Sequence, residues 1–132
     1  MEKSDLLKVI FQFERAQKKF DLILSKDIHK DEAYLDASIQ RFEFCYELCW
    51  KSLKRCLLLK GIDAKPPKDV FKEAFKLGWL REGDDFWSQM VDDRNQTSHT
   101  YNDQTALEIY SRLGSYRDAF SELIPRLRKL FE

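Results

Sequence analysis

The sequence predicts an all-α fold, an up-and-down helical bundle of four to five helices in a single domain covering residues 1–132. Three observations carry that prediction. Only 4 Gly and 3 Pro occur in 132 residues, too few for a turn-rich β architecture or a Gly-rich phosphate loop. Apolar residues recur at spacings of three and four along three long stretches, and no strand candidate appears. A 43% hydrophobic and 14% aromatic composition offers enough apolar surface to offset the chain entropy of one core.

The first helix is expected from about Asp5 to Lys26, where Leu6, Val9, Phe13, Ala16, Phe20 and Ile23 form the apolar stripe. Ser4 stands where a capping residue belongs. After the polar connection SKDIHKDE, a second helix runs from about Asp31 to Lys60. Its stripe is Leu35, Ile39, Phe42, Tyr46, Cys49, Leu53 and Cys56, and Gly61 falls where a left-handed C-terminal residue is expected. Thirty residues make a rod of about 45 Å, the spine of the bundle. Two consecutive prolines, Pro66 and Pro67, break the pattern because they lack backbone donors. A short helix restarts at Pro67 or Lys68 and stops before Gly78. A fourth begins near Asp84 with Phe86, Trp87, Met90 and Val91 on its apolar face. The last starts near Asp103 and repeats Ala106, Ile109, Leu113, Tyr116, Phe120, Leu123, Leu127 and Leu130, with Pro125 expected to kink or restart it near Ile124.

No apolar run approaches the ~18 residues of a membrane span, and charges interrupt the apolar residues of the N-terminus, so a soluble, cytoplasmic chain without a membrane partner is expected. Cys45, Cys49 and Cys56 share one helix face. A thiolate metal site is geometrically conceivable there, but the same positions belong to the apolar stripe and no second Cys/His cluster supplies further ligands. Buried structural thiols are the expectation, with no metal and no cofactor.

Charge is neutral in sum, 23 Lys+Arg against 23 Asp+Glu, but it is not evenly spread. Lys51 to Arg81 holds nine basic residues against three acids, net +6, and Glu82 to Glu108 holds seven acids against Arg94 alone, net −6. These blocks are either solvated faces that attract each other or a basic face for a phosphate-bearing partner.

Of the two histidines, His29 lies in a Lys/Asp-rich connection and reads as a solvated surface residue. His99 lies in DRNQTSHTYND, the most polar stretch of the chain. That run offers Arg94 as a permanent cation able to grip a phosphate, and His99 as an imidazole able to give or take a proton. Asn95, Thr97, Ser98 and Tyr101 add neutral hydrogen-bonding groups. Five residues along a continuous helix turn by ~500°, leaving Arg94 and His99 about 140° apart. Either the helix ends or unwinds around Thr97 to Ser98, or a shared site draws on a second copy of the chain. The same residues also suit a plain helix boundary, which would make the protein a helical scaffold.

Three ordered blocks, RFEFCYELCWKSLK (Arg41 to Lys54), PPKDVFKEAFKLGWL (Pro66 to Leu80) and WSQMVDDRNQTSHTYND (Trp87 to Asp103), resemble the HEPN-domain proteins known as nucleotidyltransferase substrate-binding proteins. These are the HepT-like partners of minimal nucleotidyltransferases. The resemblance covers about Asp31 to Leu113 and includes an R-x4-H-x-Y signature at Arg94, His99 and Tyr101. It implies a helical bundle that pairs as a homodimer, with the Arg and His of both copies in an interface cleft. It further implies the toxin of a toxin-antitoxin pair, a metal-independent endoribonuclease acting on RNA. Arg94, Asn95 and His99 would be its catalytic residues. The partner nucleotidyltransferase would silence it by adding AMP to Tyr101, the modification site. An alternative within the same resemblance is a non-catalytic substrate- or nucleotide-binding subunit of a two-component nucleotidyltransferase. The aromatics Phe42, Phe44, Tyr46, Trp50, Trp79, Phe86 and Trp87 exceed what one small core needs, so some are expected to face the second subunit.

Overall fold

Apolar stripes at helical spacing cannot stay exposed, and they meet here as one buried cluster between five helices. The structure, a computed structural model, describes residues 3–131. Helix α1 (Lys3–Leu24) buries Leu6, Ile10, Phe13 and Phe20. Ser4 does not cap it: the helix is already formed at Lys3, so Ser4 lies inside the first turn. Helix α2 (Glu32–Leu59) starts where the Asp31 carboxylate accepts from the Ala33 N–H at 2.9 Å. It ends in a left-handed turn at Gly61 (φ +80°), with the Ile62 N–H donating to the Leu57 carbonyl and the Gly61 N–H to that of Leu58, both at 2.9 Å.

Helix α3 (Pro67–Lys76) opens on Pro67, whose missing donor costs nothing in a first turn. It closes as α2 does: Gly78 takes φ +78° and the Trp79 N–H reaches back to the Ala74 carbonyl at 3.1 Å. Helix α4 (Asp84–Gln96) gives way to a short 3-10 turn, Thr97–His99. Helix α5 (Asp103–Leu130) is capped by the Asn102 side chain, which accepts from Gln104 and Thr105 N–H at 3.0 and 3.3 Å. The expected restart at Pro125 does not occur, and α5 runs through it as one element. Pro125 and Ser121 lie on the solvent side, where water satisfies the carbonyl that the proline leaves free. Leu123, Ile124 and Leu127 on the other side are buried and hold the last turns down.

Helix α2 is the spine, packing on α1, α3 and α5, while α4 lies between α3 and α5. Four of these helices are joined by a closed circuit of aromatic contacts. It runs Phe42, Tyr46, Phe71, Trp87, Phe86, Tyr116 and back to Phe42, with ring centroids 5.1 to 6.2 Å apart. Such pairs each add roughly 0.5–1.5 kcal/mol beyond area burial. Helix α1 joins through Phe13 on Phe120 and Phe20 on Phe42. Most of the aromatics in surplus of one small core are thus spent in one chain; Phe44 is exposed, and Trp50 and Phe86 are partly exposed. The basic and acidic blocks meet in one ion pair among the described residues, Lys68 to Asp92 at 3.5 Å, with both side chains exposed.

Cys45, Cys49 and Cys56 are buried free thiols on the α2 stripe. Burial pushes Cys45 and Cys56 up from 9.0 to about 12, a nearby Arg41 partly opposing this at Cys45, and raises Cys49 as well. Burial likewise moves the Tyr46 phenol from 10.0 to about 12. A group whose folded pKa is raised stabilises the fold fully below its unfolded value and loses that contribution as pH climbs toward the folded value. Stability should therefore hold through neutral pH and fall between about pH 9 and 12, each group adding a slope of about 1.4 kcal/mol per pH unit. Urea midpoints measured from pH 7 to 11 test this. The Cys45→Ala/Cys56→Ala double variant should show a shallower alkaline decline; an equal decline would contradict the assignment.

Candidate active site at the end of α4

Asp93 and Arg94 are neighbours in the last turn of α4, and a rotation of about 100° per residue sends them to different surroundings. Asp93 is 2% exposed. Its carboxylate accepts from Arg112 Nε and Nη2, both at 2.7 Å, from the Tyr116 hydroxyl, and from Gln89 Nε2 at 3.1 Å. Four donors use all the acceptor positions a carboxylate has, which makes burial of this charge tolerable. Burial, then the hydrogen bond to Asp93, drive the Tyr116 phenol far above its ordinary range, and Arg112's own hydrogen bonds to Asp93 raise Arg112. The cluster locks the end of α4 to α5.

Locking Asp93 inward turns Arg94 toward α2. There its Nη1 forms an ion pair with Glu43 Oε2 at 3.2 Å and donates to Thr97 Oγ1 at 2.9 Å. The buried Thr97 hydroxyl is 2.7 Å from the Arg94 carbonyl and 3.2 Å from Glu43 Oε2, so it ties the helix end to the same carboxylate. Among the described residues Arg94 Nε is buried without a partner. The guanidinium, about one-third exposed, is therefore held in place with donor capacity unspent.

Asn95 is exposed and offers its carbonyl to Ser98 Oγ at 3.3 Å. His99 ends the 3-10 turn, exposed, its ring 6.1 Å from that of Tyr101 in an edge-on arrangement. Tyr101 is 84% exposed and stands on the rim of a groove of about 400 Å³ that also includes His29, Asp36 and Leu107. His29 is a surface residue, as its polar setting predicted. The structure thus brings His99 to Tyr101, and Arg94 to Glu43 and Thr97. It does not join the two groups by a hydrogen bond. Helix α4 ends after Gln96, but a 3-10 turn advances about 120° per residue, leaving His99 roughly 200° round from Arg94. Ending the helix alone does not bring the pair to one face.

No group of three or more His, Cys, Asp or Glu side chains suited to a metal ion occurs among the described residues. Glu43 and Asp93 are the residues that sequence reasoning passed over. Asp93 could have been found, because it lies three residues after Met90 on the apolar stripe of α4, where an acid needs buried donors. Glu43 sits among other charged residues of α2 and carries no such mark.

The family described as "Nucleotidyltransferase substrate binding protein like" matches residues 5–129. The chain belongs to that family. A relative from Haemophilus influenzae named "Probable ribonuclease HepT" is 33% identical over 103 residues, covering 74% of this chain and 70% of the relative. A crystal structure of a Thermus thermophilus protein superposes with a TM-score of 0.81 at 35% identity, over 88% of this chain and 98% of that one. HI0074 from Haemophilus influenzae is described as revealing the fold of a substrate binding domain of a nucleotidyltransferase. It superposes with a TM-score of 0.69 at 27% identity, over 95% and 98% of the two chains. The all-helical fold is thus that of this nucleotidyltransferase-associated family.

Replacing Asp93 by Ala leaves the buried Tyr116 hydroxyl and one side of Arg112 without their acceptor. Unfolding free energy should fall by about 3 kcal/mol, the cost of breaking a buried charged cluster from one side. Denaturant titration of Asp93→Ala checks this, and a loss below about 1 kcal/mol would show that the cluster is not an anchor.

Proposed function

We propose that this protein is the ribonuclease of a pair completed by a minimal nucleotidyltransferase, acting as a homodimer on RNA. The carrying observation is an exposed imidazole at the end of a 3-10 turn, five residues from an arginine held in place by Glu43 and Thr97. A relative that bears the name of a ribonuclease adds weight. In this reading His99 takes the proton of a ribose 2′-hydroxyl, whose oxygen attacks the adjacent phosphorus. The bond from phosphorus to the 5′-oxygen breaks, and that oxygen takes up a proton, leaving a 2′,3′-cyclic phosphate and a 5′-hydroxyl. Arg94 donates to the non-bridging oxygens as charge builds on them, and Asn95 adds a neutral donor beside it. A two-fold pair supplies the His99 of one copy near the Arg94 of the other, which answers the separation found within one chain.

Tyr101 is the acceptor for AMP in this reading. Its phenol oxygen attacks the α-phosphorus of ATP, pyrophosphate leaves, and the phenol proton is lost. High exposure admits the partner enzyme, and an anion 6.1 Å ring to ring from His99 opposes entry of an RNA phosphate by charge and bulk. Such control would make the pair a toxin and its antitoxin. The family's description favours a second reading, in which the chain binds a substrate for the nucleotidyltransferase and cuts nothing.

Purified protein in EDTA should cleave RNA to cyclic-phosphate ends. His99→Ala should lower the rate by at least about a hundredfold with the helical circular dichroism unchanged. Incubation with the partner enzyme, ATP and Mg²⁺ should add AMP mass to wild type and none to Tyr101→Phe. Equal cleavage by His99→Ala would overturn the ribonuclease assignment, and no cleavage by wild type would leave the binding-subunit reading.

A further inference from the structure

The face of α2 that carries Glu43 continues past the candidate active site. Trp50 lies seven residues on, two helical turns and about 10 Å along the axis, at nearly the same angle. With Lys51, Lys54, Arg55 and Leu58 it lines a groove of about 340 Å³. No acid occurs between Lys51 and Lys60. Among the described residues Lys54 and Arg55 engage no carboxylate, and Lys51 has only an exposed pair with Glu47 at 3.8 Å, a weak interaction. Lys54 Nζ instead sits 5.8 Å from the centre of the Trp50 ring.

Two further donors here are unspent: among the described residues, the indole Nε1 of Trp50 and the Nε of Arg55 are buried without hydrogen-bond partners. Such groups are uncommon and ask for an explanation. The groove therefore offers cations and one aromatic face. What complements it is a chain of anionic acceptors carrying flat rings.

We propose that this groove on α2 docks single-stranded RNA. A base stacks on the partly exposed indole of Trp50, and neighbouring phosphates accept from Lys51, Lys54 and Arg55. The choice of RNA over another anion rests on the ribonuclease reading above and on the shared helix face, which lets one strand pass from Arg94 onto Trp50. Glu43 and Glu47 lie on that path, each engaged by a cation, Arg94 and Lys51 respectively.

The test is fluorescence anisotropy with a labelled single-stranded RNA, using His99→Ala protein as the background so that the probe stays whole. Adding Trp50→Ala should weaken binding about fivefold or more, while Trp50→Phe, which keeps a stacking face, should retain most of it. Lys54→Ala and Arg55→Ala should each reduce the slope of log affinity against log salt by about 0.7, one phosphate contact apiece. Unchanged affinity in Trp50→Ala and Lys54→Ala, or no binding by the background protein, overturns the proposal. So does a change of oligomeric state in Trp50→Ala by light scattering, which would mark the groove as a subunit interface. Cleavage that depends on His99 but not on Trp50, with binding unaltered, keeps the ribonuclease and rejects the groove. RNA binding that needs Trp50 without any cleavage does the reverse.

Discussion

A single buried carboxylate fixes the geometry on which the rest of the site depends. Asp93 enters the interior at a position where an apolar side chain would be ordinary, and it is tolerated only because Arg112, Tyr116 and Gln89 saturate it. That requirement sets the rotation of α4 about its own axis. A slip of one residue would turn the helix by about 100°, putting Arg94 where Asp93 now meets Arg112 and sending Asp93 to the exposed position of Asp92. The buried cluster adds little to net stability compared with an apolar contact, since desolvation offsets most of its attraction. Its value lies in allowing one register and penalising the others.

Arg94 is held differently. Its pair with Glu43 is about one-third exposed on both sides, in the range where an ion pair contributes about 1 kcal/mol or less. Such a contact orients a side chain without holding it against a stronger ligand. A phosphate can take two parallel hydrogen bonds from the guanidinium, roughly twice as strong each as neutral ones. In the proposed function, Glu43 presets Arg94 and would yield to an anion. The aromatic circuit around Phe42 and Tyr116 supplies the stiffness behind this arrangement, because Phe42 is one residue from Glu43 and Tyr116 bonds Asp93. Packing and polar anchoring meet in the same two helices.

The bundle was legible in sequence because long helices announce themselves by spacing: the α2 and α5 stripes, the Gly61 and Gly78 stops and the Pro67 start all follow from local rules. Ser4 does not cap its helix as those rules expect, and at Pro125 the helix continues where a kink or a restart was expected to mark it. At Pro125 the buried Leu123, Ile124 and Leu127 outweigh the lost hydrogen bond, and no inspection of residues near the proline reveals how well they pack. The site was legible as a motif but not as geometry. Arg94, Asn95, His99 and Tyr101 stand in one short run, whereas Glu43 and Arg112 reach that run from α2 and α5, 51 and 18 positions away from Arg94 in sequence. Contacts at such separations follow from topology, which the spacing of apolar residues does not specify.

The opposed charge blocks take on a different meaning once their partners are known. In the −6 stretch Asp93 is consumed inside the fold by Arg112, which lies outside the block, and Asp92 pairs with Lys68. In the +6 stretch Lys51, Lys68 and Lys76 hold exposed ion pairs, and the other six basic residues engage no carboxylate among the described residues. Fields that reach a ligand come from charges still facing solvent, since interactions fade within a Debye length of about 8 Å and internally paired charges nearly cancel. A neutral chain can in this way present a positive surface along α2. Zero net charge measures the whole molecule, and an approaching phosphate meets only one face of it.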